Sequence, residues 1–381
     1  MTRTRAALFA ALFASAAALT VRTAPAQQPG ETDRLVYRDR AKDGKLEAVV
    51  GELKESAAGV QVFGADKKLK QTVSPQDVVR IEYTALKNVE RDAYAQANQL
   101  DAGPDAVKAA AAFADLVLKA GPNADARTKR VLAFRQLALA VRVNDAEADE
   151  AKFAAAAGPL ADKLAAFARA HAKGWECWPT GRTACRLLVE LGKPADAALL
   201  AKELGDNPDL AAELRADARL IEVGYQLMAP GRGAVAALAE ARKGEATMTD
   251  RQKEKVAIFA EVLALPEPEA VDAKLLPDEA AAKAAAAAKR IRDAVAKVEA
   301  GPVAKAKDAT ARAAGYNALG EVYLRHGLPR DAMWAYLWVD VVYNQDKDEQ
   351  IKAVGRLVQV YKATGEEERE KLFRERLAKT R

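Results

Sequence analysis

The period of the hydrophobic pattern changes once along this chain, near Tyr83, and that change limits the folds available to it. From Leu35 to Tyr83, apolar residues alternate or run in short groups separated by turn residues such as those at 64–66. This pattern predicts an antiparallel β module over residues 34–84. From about Leu86 onward the period is close to four, which predicts helices. The predicted fold class is therefore mainly α, preceded by a small antiparallel β barrel or sheet.

Glycine and proline residues divide the predicted helical part into regions. A helical repeat region spans 86–265, an exposed linker rich in Pro and Glu spans 266–277, and a second helical region spans 278–381. The second region begins with an Ala-rich helix that has an apolar stripe through Ile291 and Val295. This helix is either a semi-rigid spacer or a packed repeat helix. The two hydrophobic periods also predict separate cores for the β module and the helices.

Residues 1–26 have the order of a secretory signal peptide. Arg3 and Arg5 precede an uncharged run over 6–21, and Ala24-Pro25-Ala26 follows it. Cleavage after Ala26 is expected, which predicts an exported protein, periplasmic or extracellular, with no membrane span after cleavage. A retained membrane anchor is the alternative, but the Ala content and the charge of Arg22 disfavour it.

The charge balance argues against a nucleic-acid partner. The formal net charge is +5, and Arg3, Arg5 and Arg22 in the leader supply three of those charges, which leaves +2 for the mature chain. Nucleic-acid binding requires a basic patch or stripe, whereas acidic and basic residues are interspersed here.

The chain has two cysteines, Cys177 and Cys185. Export would allow a disulfide between them. However, a helix that starts near Pro179 places Cys185 more than a turn inside it, and a disulfide needs Cα atoms within about 7 Å of each other. Two buried thiols are therefore favoured over a bridge, and a metal site lacks further N or S ligands.

Residues 313–346 carry the clearest repeat signal. Large, small and aromatic residues recur there at fixed positions, namely Tyr316, Leu319, Gly320, Tyr323, Gly327, Ala332 and Tyr336. This spacing resembles a tetratricopeptide repeat, a pair of antiparallel helices in which Gly320 permits close approach. Val339 and Asn344 depart from the usual Ala and Pro. The turn that starts at Gly192 repeats at Gly327, and a third, weaker unit ends at Gly365.

These resemblances imply a fold and a function. The tetratricopeptide likeness implies an α-α superhelix whose concave surface binds a protein or peptide without catalysis or cofactor. Transferred to the best repeat, the groove positions of that family are Asn317, Glu321, Leu324 and Arg325. The runs at 49–53, 59–62 and 77–81 resemble SH3-like and Sm-like barrels, which host many unrelated functions.

No catalytic or metal-binding pattern emerges from the residues themselves. The mature chain has only the serines Ser56 and Ser74, and His171 and His326 are far from both in sequence. The loop Gly231-Arg232-Gly233 matches a loose dinucleotide-binding pattern but follows no predicted strand. The alternative to an adaptor is a cell-envelope hydrolase or polysaccharide-binding protein, for which a deep cleft with two buried carboxylates would be the evidence.

Trp334 and Trp338 stand four residues apart, on one face of a predicted helix. Such aromatic stripes usually pack in a core, so both rings are expected to seal the last repeats against each other. An exposed ring would instead be a candidate for partner binding.

Overall fold

The computed structural model describes residues 32–42, 44–231, 233–268 and 277–381. The predicted leader and most of the predicted linker lie outside the described residues. Five β-strands come first in the chain: β1 Asp33–Asp39, β2 Lys45–Ser56, β3 Gly59–Phe63, β4 Leu69–Val73 and β5 Val78–Glu82.

The strands form one antiparallel sheet in the order β4-β3-β2-β1-β5. Strand β2 is long enough to pair with β1 along its first half and with β3 along its second half. Strands β4 and β5 are the two edges, so the sheet is open and does not close into a barrel. Of the two forms predicted for the β module, the structure has the sheet.

Fourteen α-helices follow within the described residues. They are α1 Arg91–Ala102, α2 Ala106–Ala120, α3 Ala126–Asp145, α4 Glu150–Ala170, α5 Cys177–Glu190, α6 Pro194–Asp206, α7 Ala212–Met228, α8 Gly233–Arg242, α9 Asp250–Leu263, α10 Pro277–Val298, α11 Ala309–Arg325, α12 Pro329–Val341, α13 Lys347–Thr364 and α14 Glu367–Thr380. Most consecutive helices pack against each other. The predicted mainly α class is confirmed. None of the described helices has the length and apolarity needed to cross a membrane.

Three hairpin turns share one geometry at a glycine. Gly192, Gly327 and Gly365 have φ values of 72°, 69° and 73°. The residue after each glycine donates its backbone N–H to a carbonyl in the last turn of the helix, at 2.8 to 2.9 Å. This left-handed C-terminal cap favours glycine because the residue has no Cβ. The sequence predicted that this turn recurs, and the recurring turns do have the same backbone conformation.

One hydrophobic core joins the sheet to the first helices. Leu35, Val60 and Ile81 of the sheet belong to the same buried cluster as Phe113 of α2 and Leu139 of α3. The sequence predicted separate cores for the β module and the helices, whereas the structure has one core shared by the sheet and the first helices. A five-stranded sheet with one apolar face must bury that face against another layer, and the nearest apolar layer is the first three helices.

The Ala-rich helix α10 packs through its later turns. Ile291, Val295 and Val298 are buried in a second large core that also contains Phe259 of α9 and Leu319 of α11. Of the two predicted forms of this helix, the structure has the packed one over these turns.

Ion pairs join the last hairpin to helices near the middle of the chain. The Nε atom of Arg182 in α5 lies 2.5 Å from a carboxylate oxygen of Asp348 in α13. The Nε atom of Arg381 lies 2.6 Å from a carboxylate oxygen of Glu190, and both of these side chains are buried. Helix α13 therefore packs beside α5 as well as beside α11 and α12.

Candidate functional site

The predicted groove residues Asn317 and Glu321 lie on the inner side of α11 and are buried. Asn317 donates hydrogen bonds through Nδ2 to the backbone oxygen of Glu349, at 3.0 Å, and to its carboxylate, at 2.8 Å. Lys352 binds the same carboxylate at 2.6 Å. Because α13 covers this side of α11, Asn317 contacts the chain itself and not solvent.

Glu321 is the centre of a second polar cluster. The hydroxyl of Tyr336 donates to its carboxylate at 2.8 Å, and the guanidinium of Arg356 binds both carboxylate oxygens at 2.7 and 2.9 Å. Burial and the nearby charge of Glu321 raise the pKa of Tyr336 well above its usual value. The phenol therefore stays protonated and continues to donate this hydrogen bond.

Little free space remains beside Asn317 and Glu321. A cavity of about 30 Å³ borders Asn317, Glu321 and Arg356, and one of about 50 Å³ borders Arg182 and Asp348. Each has room for only a few water molecules. The expectation that all four family positions face a partner is corrected here for Asn317 and Glu321, because α13 occupies the space in front of them.

The other two predicted groove residues differ in exposure. Leu324 is partly buried and packs against the core, whereas Arg325 is exposed at the end of α11. The structure therefore buries Asn317 and Glu321, leaves Leu324 partly accessible and exposes Arg325.

Helix α12 instead exposes the aromatic residues that were expected to be buried. Trp334 is 63% exposed and Trp338 is 45% exposed, and Val341 continues the same stripe. The core prediction for the two tryptophans is therefore wrong. Helix α12 is apolar on two sides, and its other side fills the core through Ala332, Ala335, Tyr336 and Val339.

Stacked rings support this exposed stripe. The ring of Tyr316 in α11 stacks on Trp338 at 5.8 Å and on Tyr343 at 5.6 Å between centroids. The guanidinium of Arg312 lies 5.7 Å from the centroid of the Tyr343 ring. We call Tyr316, Trp334, Trp338, Val341 and Tyr343 the aromatic face.

The aromatic face is held by rigid elements. Tyr316 is partly buried and packs against the core, and burial raises its pKa, with a further contribution from Glu299. Helices α11 and α12 are themselves packed closely, so the backbone that carries the rings has a fixed position. The signal that the sequence offered was the spacing of Trp334, Trp338 and Val341 at i, i+4 and i+7, on the side of α12 opposite Tyr336.

Two carboxylates lie close together near the sheet, at Glu55, which is partly buried, and at Glu176, which is buried. Both bind Arg130, at 2.5 and 3.3 Å, and Glu55 also accepts a hydrogen bond from Tyr83 at 2.9 Å. Burial raises the pKa of Glu176, although Arg130 opposes that shift. These contacts join β2 to α3 and to the start of α5, so they form part of the packing between sheet and helices.

Both cysteines are free and buried. The thiol of Cys185 donates to the backbone oxygen of Ala197 at 3.4 Å, and Asn207 contacts the sulfur of Cys177 at 3.8 Å. Burial raises the pKa of Cys177 to about 11 and raises that of Cys185 further. The structure therefore has the two buried thiols, and not the disulfide.

The described residues contain no cluster of three or more His, Cys, Asp and Glu side chains that could hold a metal ion. Comparison of the chain with protein-family models and with curated proteins finds no match.

Proposed function

We propose that this protein is an exported, non-catalytic helical-repeat adaptor that binds a protein or peptide through the aromatic face. The exposure of Trp334 and Trp338 carries the proposal. Binding surfaces concentrate their energy in a few Trp, Tyr and Arg residues near the centre of the contact. Two tryptophans, two tyrosines and the neighbouring Arg312 make this surface suitable for such a contact.

The repeat geometry supports membership of the tetratricopeptide class. Gly320 lies against Tyr336, and the turns at Gly192 and Gly327 have the same conformation. Under this proposal the partner binds outside α12, because α13 covers the inner positions Asn317 and Glu321.

Export is part of the same proposal and rests on the order of residues at 1–26. N-terminal sequencing of the protein recovered from the cell envelope tests it. A mature chain that starts at or near Gln27 is expected. A product that begins at Met1 and stays in the cytoplasm would overturn the proposal of export.

Affinity capture from an envelope extract tests the adaptor role. The mature chain, the variant Trp334→Ala/Trp338→Ala and the control Leu372→Ala are compared, since Leu372 is an exposed apolar residue on α14, outside the aromatic face. Loss of a central tryptophan weakens a protein contact by about 2 kcal/mol or more, roughly 30-fold. A protein captured by the wild type and the control, but lost from the tryptophan variant, supports the proposal.

Stacked aromatic rings could also bind sugar rings, so a polysaccharide-binding protein is the second candidate. The nearly parallel rings of Tyr316, Trp338 and Tyr343 favour it. Cosedimentation with insoluble cell-wall polysaccharide separates the two functions. If the tryptophan variant loses sedimentation while the captured proteins are unchanged, the polysaccharide function replaces the adaptor function.

A further inference from the structure

A long apolar groove lies between α3 and α4, away from the aromatic face. Its volume is about 1050 Å³. Alanines and larger apolar residues from both helices line it, among them Ala133, Leu137, Ala140, Ala156, Leu160 and Phe167. The two helices are antiparallel neighbours joined by a short loop. The stretch of α3 that borders the groove, from Ala133 to Asn144, is about 17 Å long.

One buried polar group in the groove has no partner in the protein. Asn144 lines the groove and is 5% exposed, yet neither Nδ2 nor Oδ1 makes a hydrogen bond. A buried amide without partners is costly, and nearly all such groups are satisfied in folded proteins. Both the donor and the acceptor of Asn144 are therefore unsatisfied at the wall of the groove, beneath its surface.

Two ammonium groups give the groove its charge. Lys152 and Lys163 both line it from α4, and neither side chain forms an ion pair within the described residues. They stand eleven residues apart, which is about 16 Å along a helix. Among the described residues that line the groove, Glu147 carries the one carboxylate. The two lysines therefore give the lining an excess of positive charge.

The shape of the groove fits a helix better than a small molecule. Small-ligand pockets enclose about 300–1000 Å³, whereas this groove is at the upper limit and is lined partly by exposed residues such as Ala156 and Ala166. An α-helix is about 10 Å wide, and one of 12 residues is about 18 Å long. Alanine linings allow such a helix to approach closely, and its apolar side chains can fill the remaining volume.

We propose that the α3–α4 groove binds an amphipathic helix of a partner protein, with acidic residues on its flank and one amide or hydroxyl side chain within its apolar face. Two carboxylates about eleven residues apart pair with Lys152 and Lys163, and the polar side chain pairs with Asn144. The inference rests on the proposed function in that the ligand is a protein or peptide. It assigns that ligand to a second surface, separate from the aromatic face.

A fluorescently labelled synthetic helix tests the proposal by anisotropy with the full mature chain. The peptide has a Leu and Ala face, one Gln within that face, and two Glu residues eleven positions apart. Ala156→Trp fills the groove from an exposed position. Ala154→Trp is the matched control, because Ala154 is also exposed and lies on the opposite side of α4, outside the groove. We expect Ala156→Trp to weaken binding by at least about tenfold and Ala154→Trp to leave it unchanged.

Two further comparisons test the polar contacts. Lys163→Glu is expected to weaken binding several-fold, whereas Lys129→Glu, at an exposed position on α3 outside the groove, has little effect. Asn144→Leu is expected to weaken binding of the Gln peptide and not of a matched peptide with Leu in place of Gln. Such a double-mutant cycle detects a direct contact.

Several outcomes would overturn the inference. Absence of saturable binding by the peptide would do so, as would equal binding by the Ala156→Trp and Ala154→Trp variants. Self-association of the mature chain that Ala156→Trp abolishes would make a second copy the occupant instead. A negative result in these peptide experiments does not change the expected result of the capture experiment with the Trp334→Ala/Trp338→Ala variant. The proposed groove and the proposed aromatic binding face are therefore tested separately.

Discussion

The backbone of Gly320 in α11 lies against the ring of Tyr336 in α12. A Cβ atom at Gly320 would be 2.5 Å from Cε1 and Cζ of that ring. The ring cannot move away easily, because it is buried and its hydroxyl donates to Glu321 at 2.8 Å. Even one added methyl group at Gly320 must therefore push the two helices apart.

We accordingly expect Gly320→Ala to lower the free energy of unfolding by about 1 to 3 kcal/mol, the usual cost of overpacking. Gly355→Ala on α13 is the matched control, since a Cβ there has no atom within 4 Å outside its own helix. Helix propensity should make that control more stable by up to about 1 kcal/mol. Thermal melts of both variants check this. Equal stability would show that α11 and α12 do not meet at Gly320.

Ile81→Ala in the sheet is expected to destabilise the first helices as well as the sheet. Ile81 is buried in the cluster that also contains Phe113 and Leu139, and its loss should cost about 2–5 kcal/mol. The helical circular dichroism signal should therefore melt at a lower temperature. Val50→Ala, at an exposed position of β2, should change stability by less than about 0.5 kcal/mol. An unchanged helical melt in Ile81→Ala would indicate separate cores.

Glu222 on α7 should make the protein less stable as pH rises. Its side chain is buried, its Oε2 atom has no partner, and burial raises its pKa. With the folded pKa above the unfolded value, its contribution to stability is complete below the unfolded pKa, about 4.3, and is lost as pH rises through the folded pKa. Glu222→Gln should therefore reduce the loss of stability between acidic and neutral pH.

Glu240 should contribute a pH dependence of stability opposite to that of Glu222, which makes Glu240→Gln a useful comparison. Lys243 lowers the pKa of Glu240 through a side-chain hydrogen bond. The contribution of Glu240 is present above its unfolded pKa and is lost as pH falls through the folded pKa. Denaturant titrations of both variants at several pH values measure how the free energy of unfolding changes with pH. If this pH dependence is the same in Glu222→Gln as in the wild type, the Glu222 carboxyl is not buried.

The two thiols should be inert in the folded protein. Burial raises the pKa of Cys177 to about 11, so little thiolate exists at neutral pH. We expect native Cys177 and Cys185 to react with a thiol reagent more than about a hundredfold more slowly than an exposed cysteine, and both to react after unfolding. Mass spectrometry counts the labels. If the unfolded chain takes up no label before a reductant is added and two labels afterwards, Cys177 and Cys185 form a disulfide.

Much of the architecture could be predicted from local patterns. The change of period near Tyr83 indicated where strands give way to helices, and the glycines at 192 and 327 marked turns that have the same left-handed geometry. Local predictions of this kind succeed because hydrophobic period and turn chemistry depend on residues that are neighbours in sequence. The close approach at Gly320 was also predicted, since it lies within a single helical hairpin.

The surfaces depended on contacts that no local pattern contains. Asn317 and Glu321 are buried because α13 packs over α11, while Trp334 and Trp338 are exposed because no described element covers that side of α12. The sequence by itself determined the helices, the strands and the turns between them. Only the tertiary structure decided which polar residues are enclosed and which aromatic residues face solvent, because pairs such as Arg182 and Asp348, 166 residues apart, meet only after the chain has folded.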